Sequence, residues 1–250
     1  MSVRPATQRE ILIATIADLL SGVRTVAVGA SSPIPAAGAM LLRARNEIRG
    51  RERVRIVVLG SREHNFFTNG AVELFDCAAQ GRIDAFFLGG GQIDGQANIN
   101  LVGTGDYPVS TVRWPGSFGS AFLYYVVPRV ILFREEHSPR VFVDKVDFVS
   151  APGTSEGIVR NGGPHALLTG MALFGFDKTR KRFDLRSAHR GVSAVDVKAA
   201  TGFDYDAPAS VPMTAEPDAE TLALLRGRVT GELAECYPQF VGALEAERAA

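Results

Sequence analysis

Apolar and polar positions switch between two periods along the first ninety residues. Thr7 stands three residues before Glu10, the spacing of a capping box, and the run ILIATIADLL then ends at Gly22. Leu12, Ile13, Ile16, Leu19 and Leu20 cover a broad face, which predicts a first helix. RTVAVG (24–29) is a short β-branched strand that breaks at Gly29-Ala30-Ser31-Ser32-Pro33. PAAGAMLLRARNEI (35–48) reads as helix, with Pro35 tolerated in its first turn. VRIVVLG (54–60) is a buried strand, AVELFDCAAQG (71–81) a short helix, and IDAFFLGGG (83–91) the next strand.

Helices and near-continuous apolar strands alternate. That predicts an α/β fold, an open and largely parallel sheet with helices on both faces. The later chain is more β-rich: RVILF (129–133), RVFVDKVDFVS (140–150), HALLTG (165–170) and FDLRSA (183–188). VSAVDVKAATG (192–202) is a helix ending at Gly202, and a last helix starts near Asp218 and runs through TLALLRGRV. In such sheets ligands bind beyond the carboxyl ends of the strands. Here those ends are Gly29–Ser32, Gly60–Ser61 and Gly89–Gly91, which predicts a cleft along one edge.

With 250 residues, 46% of them hydrophobic, the chain can bury a large core. No linker composition divides it, so residues 1–250 read as one domain. Lys+Arg and Asp+Glu are 27 each, which is no nucleic-acid footprint. Near-zero net charge and slightly positive mean hydropathy fit a chain partly covered by a partner. Cys77 and Cys236 belong to no Cys-x-x-Cys pair, so they read as buried free thiols of a reducing cytoplasm, and no metal site is expected. The N-terminus lacks a signal-peptide core, and no apolar run reaches roughly 18 residues, so no membrane span is expected.

Residues 88–120 carry the candidate chemistry: LGGGQIDGQANINLVGTGDYPVSTVRWPGSFGS. Gly89, Gly90 and Gly91 leave backbone N–H groups with no side chain in front of them, so an anionic or acyl group can approach closely. The same glycines also fit a tight turn in close strand–helix packing. They are no dinucleotide fingerprint, since Gly95 comes one residue late, and no Gly-Lys-Ser/Thr occurs. Ser117 follows Gly116 directly, which breaks nucleophile-elbow spacing.

Glu63 and His64 are adjacent on a loop, as an acid/base pair or as solvated polar groups. His165 reads as structural. Asp144, Lys145 and Asp147 alternate with Val143, Val146 and Phe148, the pattern of one solvated strand face. Trp114 is a core or interface anchor, or the wall of an apolar pocket.

GGGQIDGQANIN followed by GDYPVSTVRWPGSFG resembles the β-subunit pattern of family I CoA-transferases, the glutaconate type above all. TVAVGASSPIPAAGAMLLRAR, VDKVDFVSAPG and ATGFDYD resemble further motifs of that family, in register over roughly residues 8–230. The resemblance implies a CoA-transferase β-subunit type of sheet. It also implies a binding surface at Ser31, Gly89, Gly90, Gly91, Gln92, Asn98, Trp114, Gly116, Ser117, Phe118 and Gly119.

Two departures redirect the chemistry. The transferases carry a catalytic glutamate at the end of the strand that here reads IVVLGS, and that position falls on Leu59 or Gly60. Phe118 replaces a glycine of the second loop, and Ala121 replaces an asparagine. A branch with the same shortened loop is the steroid ring-cleaving CoA hydrolases. That resemblance implies a β subunit of an α2β2 heterotetramer in cholesterol catabolism, opening the last ring of a cyclohexenone-carboxyl-CoA by retro-Claisen cleavage. The main acid/base residue is then expected on the α subunit, with Glu63 and His64 the candidates on this chain. Coenzyme A enters only as part of the substrate, with no other cofactor, no nucleic acid and no membrane. A transferase β subunit with a displaced carboxylate, Glu63 being nearest, and a non-catalytic scaffold subunit are the alternatives.

Overall fold

Thr7 caps the first helix as its spacing predicts. Its Oγ1 accepts from Glu10 N at 3.3 Å, and the Glu10 carboxylate accepts from Thr7 N at 3.0 Å. The helix, α1 (Gln8–Leu19), is buried on every side from Glu10 to Ala17. The computed structural model describes residues 4–68 and 71–249, so the reading of the extreme N-terminus lies partly outside them.

The chain continues as β1 (Thr25–Val28), α2 (Pro33–Ile48), β2 (Arg55–Val58), α3 (Ala71–Ala79) and β3 (Ala85–Leu88). Four two-residue strands follow: β4 (Gln92–Ile93), β5 (Ile99–Asn100), β6 (Gly103–Thr104) and β7 (Val112–Arg113). Then come α4 (Ser120–Val126), β8 (Arg129–Arg134), β9 (Pro164–Thr169), β10 (Ala172–Asp177), β11 (Arg182–Ala188) and α5 (Ala194–Ala200). α6 (Ala219–Leu224) runs through a π-turn (Leu225–Val229) into α7 (Thr230–Leu233), and α8 (Pro238–Ala249) comes last. No helix among the described residues is long and apolar enough to cross a membrane.

The fold is α/β, with a mixed and mostly parallel sheet and helices, in two compact units. Among the described residues, the first holds 4–68, 71–74, 82–85 and 215–249, the second 75–81 and 86–214. Each unit is built from separate stretches of chain, which is why no linker composition marks the division.

In the first unit β1 and β2 pair in parallel, from Thr25↔Arg55 to Val28↔Val58, and Val26 pairs with Ala85. α1 is tied to the C-terminal helices through Glu10, which is fully buried. Its carboxylate accepts from Arg226 Nε (2.9 Å) and Nη2 (2.8 Å) and from Arg248 Nε (2.8 Å). Burial alone would raise this carboxyl, but Arg226, the Thr7 amide and Arg248 together hold it below the usual range. The π-turn has a local cause: Thr230 Oγ1 donates to the Leu225 carbonyl five residues back, at 2.6 Å.

In the second unit the strand order is β11-β10-β9-β8-β3. β8 and β9 are parallel, while β10 pairs antiparallel with both β9 and β11. Its core is aromatic: Phe183 stacks on Phe203 at 5.4 Å and meets Phe174 edge-on at 6.2 Å.

Three expectations need correction. Residues 140–150 are not a strand; one isolated bridge, Ile93↔Phe142, falls within them, and Ile99↔Ala151 comes just after. Its backbone bonds go elsewhere, Phe142 O accepting from Gly202 N (2.8 Å) and Asp147 N donating to Gln92 Oε1 (3.0 Å). Asp147 is not merely a solvated charge, since its Oδ2 accepts from Gly105 N at 2.8 Å. Cys77 and Cys236 are free, as expected, but half-buried rather than buried.

Candidate functional site

The first unit holds two strand exits. Beyond β1, Ser31 is exposed. The Tyr237 hydroxyl bridges this loop, donating to Gly29 O (3.2 Å) and accepting from Ser32 N (3.4 Å). Burial pushes the Tyr237 phenol up to about 12, so it keeps the proton it donates. Beyond β2, Leu59 N donates to Val28 O at 2.9 Å, and Gly60 takes the left-handed conformation (φ 88°). Neither residue carries a carboxylate.

Glu235 supplies one from another element. Its Oε2 accepts from Ser61 Oγ at 2.6 Å and its Oε1 from Arg62 N at 2.8 Å. Ser61 Oγ in turn accepts from His64 N at 2.9 Å. The Ser61 hydroxyl holds the Glu235 carboxyl below the usual range; burial opposes it and the Arg62 amide adds to it.

Glu63 is exposed and His64 is buried. Both line a cavity of about 750 Å³ together with Arg43, Arg55 and Phe66. His64 turns its ring toward Glu232 rather than Glu63. Its Nε2 lies 3.1 Å from Glu232 Oε1, at an angle that leaves it without a hydrogen bond, and Glu232 also pairs with Arg43.

In the second unit the three-glycine run is closed by the protein's own atoms at two of its members. A Cβ on Gly91 would overlap the Trp114 ring, and one on Gly90 would meet Gln92 O and Ile99. Gly91 N already donates to Asn100 O at 2.9 Å. Trp114 is therefore an internal anchor of this loop.

The polar residues beside it are equally committed. Gln92 Oε1 accepts from Asn100 Nδ2 (2.7 Å) and Asp147 N (3.0 Å). Asn98 Oδ1 accepts from Gly153 N (3.1 Å), and its Nδ2 donates to Asp94 Oδ2 (3.0 Å). Asp94 also takes the amides of Gln96 and Asn98, both at 3.0 Å, around a left-handed Ala97 (φ 60°).

The second Gly/Ser turn is more open. Gly116 (φ 108°) has nothing in front of it, and Ser117 O accepts from Ser120 N at 2.8 Å. Gly119 begins α4 at φ 50°, where a Cβ would overlap Phe75. Phe75 supports Phe118 (5.7 Å) and Phe122 (5.9 Å), which stay 79% and 41% exposed. This is an apolar surface able to receive an aliphatic ring or a partner. A separate cavity of about 600 Å³ in the same unit is lined by Asp144, Lys145, Arg180 and Arg182, so Asp144 and Lys145 face a recess rather than a plain surface. His165 sits exposed on β9.

Sequence reasoning missed Glu235 and Tyr237. Ser61 and Glu235 are 174 positions apart, and nothing local in the sequence links them.

A mostly parallel α/β sheet whose strands leave through glycine-rich loops defines the class, and the chain belongs to the Coenzyme A transferase family, whose model matches residues 10–200. The chain is 31% identical over 151 residues to a glutaconate CoA-transferase subunit of Acidaminococcus fermentans, 57% of this chain and 56% of that protein. It thus spans between 56% and 58% of the length of the two curated transferase subunits it matches. It is 26% identical over 243 residues to the cholesterol ring-cleaving hydrolase IpdB subunit of Rhodococcus jostii, 90% of this chain and 93% of that one. The crystal structure of Rhodococcus jostii IpdAB superposes with a TM-score of 0.74 at 25% identity, covering 89% of this chain and 94% of that chain.

Proposed function

We propose that this chain is the β subunit of a heteromeric CoA-ester hydrolase, of α2β2 form and cytoplasmic. It opens the last steroid-derived ring of a cyclohexenone-carboxyl-CoA by hydrolytic C–C cleavage. The observation that carries this reading is the β2 exit, where Leu59 and Gly60 offer no nucleophile. The breadth of the similarity to a ring-cleaving hydrolase subunit supports it.

Water addition to a conjugated carbonyl and retro-Claisen cleavage need a base and an oxyanion site, not a covalent carboxylate. This chain offers the open Gly116 loop and the apolar Phe118–Phe122 surface, and the α subunit supplies the main base. Coenzyme A belongs to the substrate, and no further cofactor takes part.

The test is turnover in isotopically labelled water, with this chain co-expressed with an α-type partner. A ring-opened CoA product carrying one oxygen from water is the expected result. CoA exchange onto acetate without ring opening would replace this reading with a transferase. The 31% identity to a glutaconate transferase subunit favours that second reading.

A further inference from the structure

Leu59 and Gly60 at the end of β2 carry no carboxylate, yet Glu235 stands against the loop they open. The contact is built from consecutive loop residues, Ser61 Oγ on one oxygen and Arg62 N on the other. Ser61 passes the constraint to His64 N, and His64 O accepts from Val58 N at 3.0 Å. The whole reversal from Val58 to His64 is thus closed around one side chain. Tyr237, two residues on, bridges the β1 exit at Gly29 and Ser32. Both reach their loops from one turn, in which Cys236 N and Tyr237 N donate to Leu233 O at 3.2 and 2.9 Å.

Core packing does not explain this arrangement. Glu235 is only half-buried, and the loop it holds bends through a left-handed Gly60. A carboxylate accepting two hydrogen bonds fixes both donors more tightly than a neutral group would. We propose that Glu235 is a positioning residue of the β2 exit, holding Ser61 and Arg62 in the geometry that meets the thioester end of the substrate. Acyl-CoA as substrate rests on the functional reading above.

The test uses the co-expressed complex with Glu235→Gln and Glu235→Asp. Gln keeps the size but places an amide N–H against a donor. Its kcat is expected to fall about tenfold to hundredfold, the range of a lost charge-assisted hydrogen bond, with KM little changed. Melting temperature and assembly stay near wild type, and Asp, which keeps the charge, recovers part of kcat. An unchanged kcat in Glu235→Gln overturns the proposal, as does a loss that only tracks lost assembly. If the wild-type complex opens no ring but exchanges CoA onto acetate, the ring-opening reading falls alone. The role of Glu235 is then read from the exchange rate: the same loss supports it, and an unchanged rate overturns it.

Discussion

Trp114 lays its ring on the Cα of Gly91, leaving no room there for a side chain. Part of the glycine-rich strand exit is thus a seat for an aromatic anchor rather than an opening for ligand. Gly91→Ala should therefore destabilise the fold by about 1–3 kcal/mol, the cost of overpacking. Trp114→Leu in the same chain should recover part of the loss, because the two residues share one contact. Urea unfolding of both single variants and the double variant measures the coupling; strict additivity would show that the ring tolerates the added methyl.

Phe118 presents the opposite case. It is 79% exposed, and its ring packs against Phe75. Phe118→Ala should leave the melting temperature of the isolated chain nearly unchanged, since exposed substitutions usually cost under about 0.5 kcal/mol. In the complex the same change should raise KM for a cyclohexenone-carboxyl-CoA or weaken assembly. Titrating turnover against partner concentration separates the two effects.

The parts of this fold that are legible in the sequence are those set by local chemistry. Thr7 and Glu10 announce α1, and the apolar runs at β1, β2 and β3 announce a mostly parallel sheet. Residues 140–150 mislead because alternation was produced by something other than a pleat. Asp147 alternates with apolar neighbours, yet its carboxylate caps a turn at Gly105. The site is less legible still. Gln92 and Asn98 look like ligand-binding amides, but their oxygens are taken by amides of their own unit. Glu235 and Tyr237 reach the strand exits only through tertiary folding.

The second unit stores a pH dependence in a buried polar chain. His189 Nε2 meets the Thr169 carbonyl at 2.9 Å, so that nitrogen carries the proton and Nδ1 accepts from Thr214 Oγ1 (2.8 Å). Thr201 Oγ1 donates to Val197 O, so His137 Nε2 donates to Thr201 (2.9 Å), while its Nδ1 lies 2.8 Å from Thr169 Oγ1. Burial, and then the neighbouring His189, push the His137 imidazole down to about 4. The unfolded chain binds this proton near pH 6.5. Stability is therefore full above about 6.5 and is lost as pH falls toward 4. Between pH 7.5 and 5 this residue alone should cost about 2 kcal/mol. Urea midpoints at the two pH values measure it, and His137→Leu should flatten the difference.

Glu10 is the ionic hub of the first unit, and its partners Arg226 and Arg248 are themselves largely covered. Removing it leaves two guanidinium groups without a counter-charge. Glu10→Ala should cost about 3–5 kcal/mol, more than the loss of an ordinary helix cap. A chemical-denaturation midpoint close to wild type would mean that water reaches both arginines.

The covalent question has the clearest outcome. A transferase passes through an acyl-enzyme held by a carboxylate, and hydroxylamine or borohydride traps it. Leu59 cannot form that bond, and Gly60 has no side chain with which to try. Glu63 is exposed, while Glu235 has both oxygens occupied and a carboxyl held below the usual range, which makes it a poor nucleophile. Incubating the complex with acyl-CoA and hydroxylamine should therefore leave this chain unmodified by mass. A modified peptide containing Glu63 would place the displaced nucleophile on the loop after β2 and make the transferase reading the stronger one. A modified peptide containing Glu235 would show that the side chain bracing this exit also attacks there.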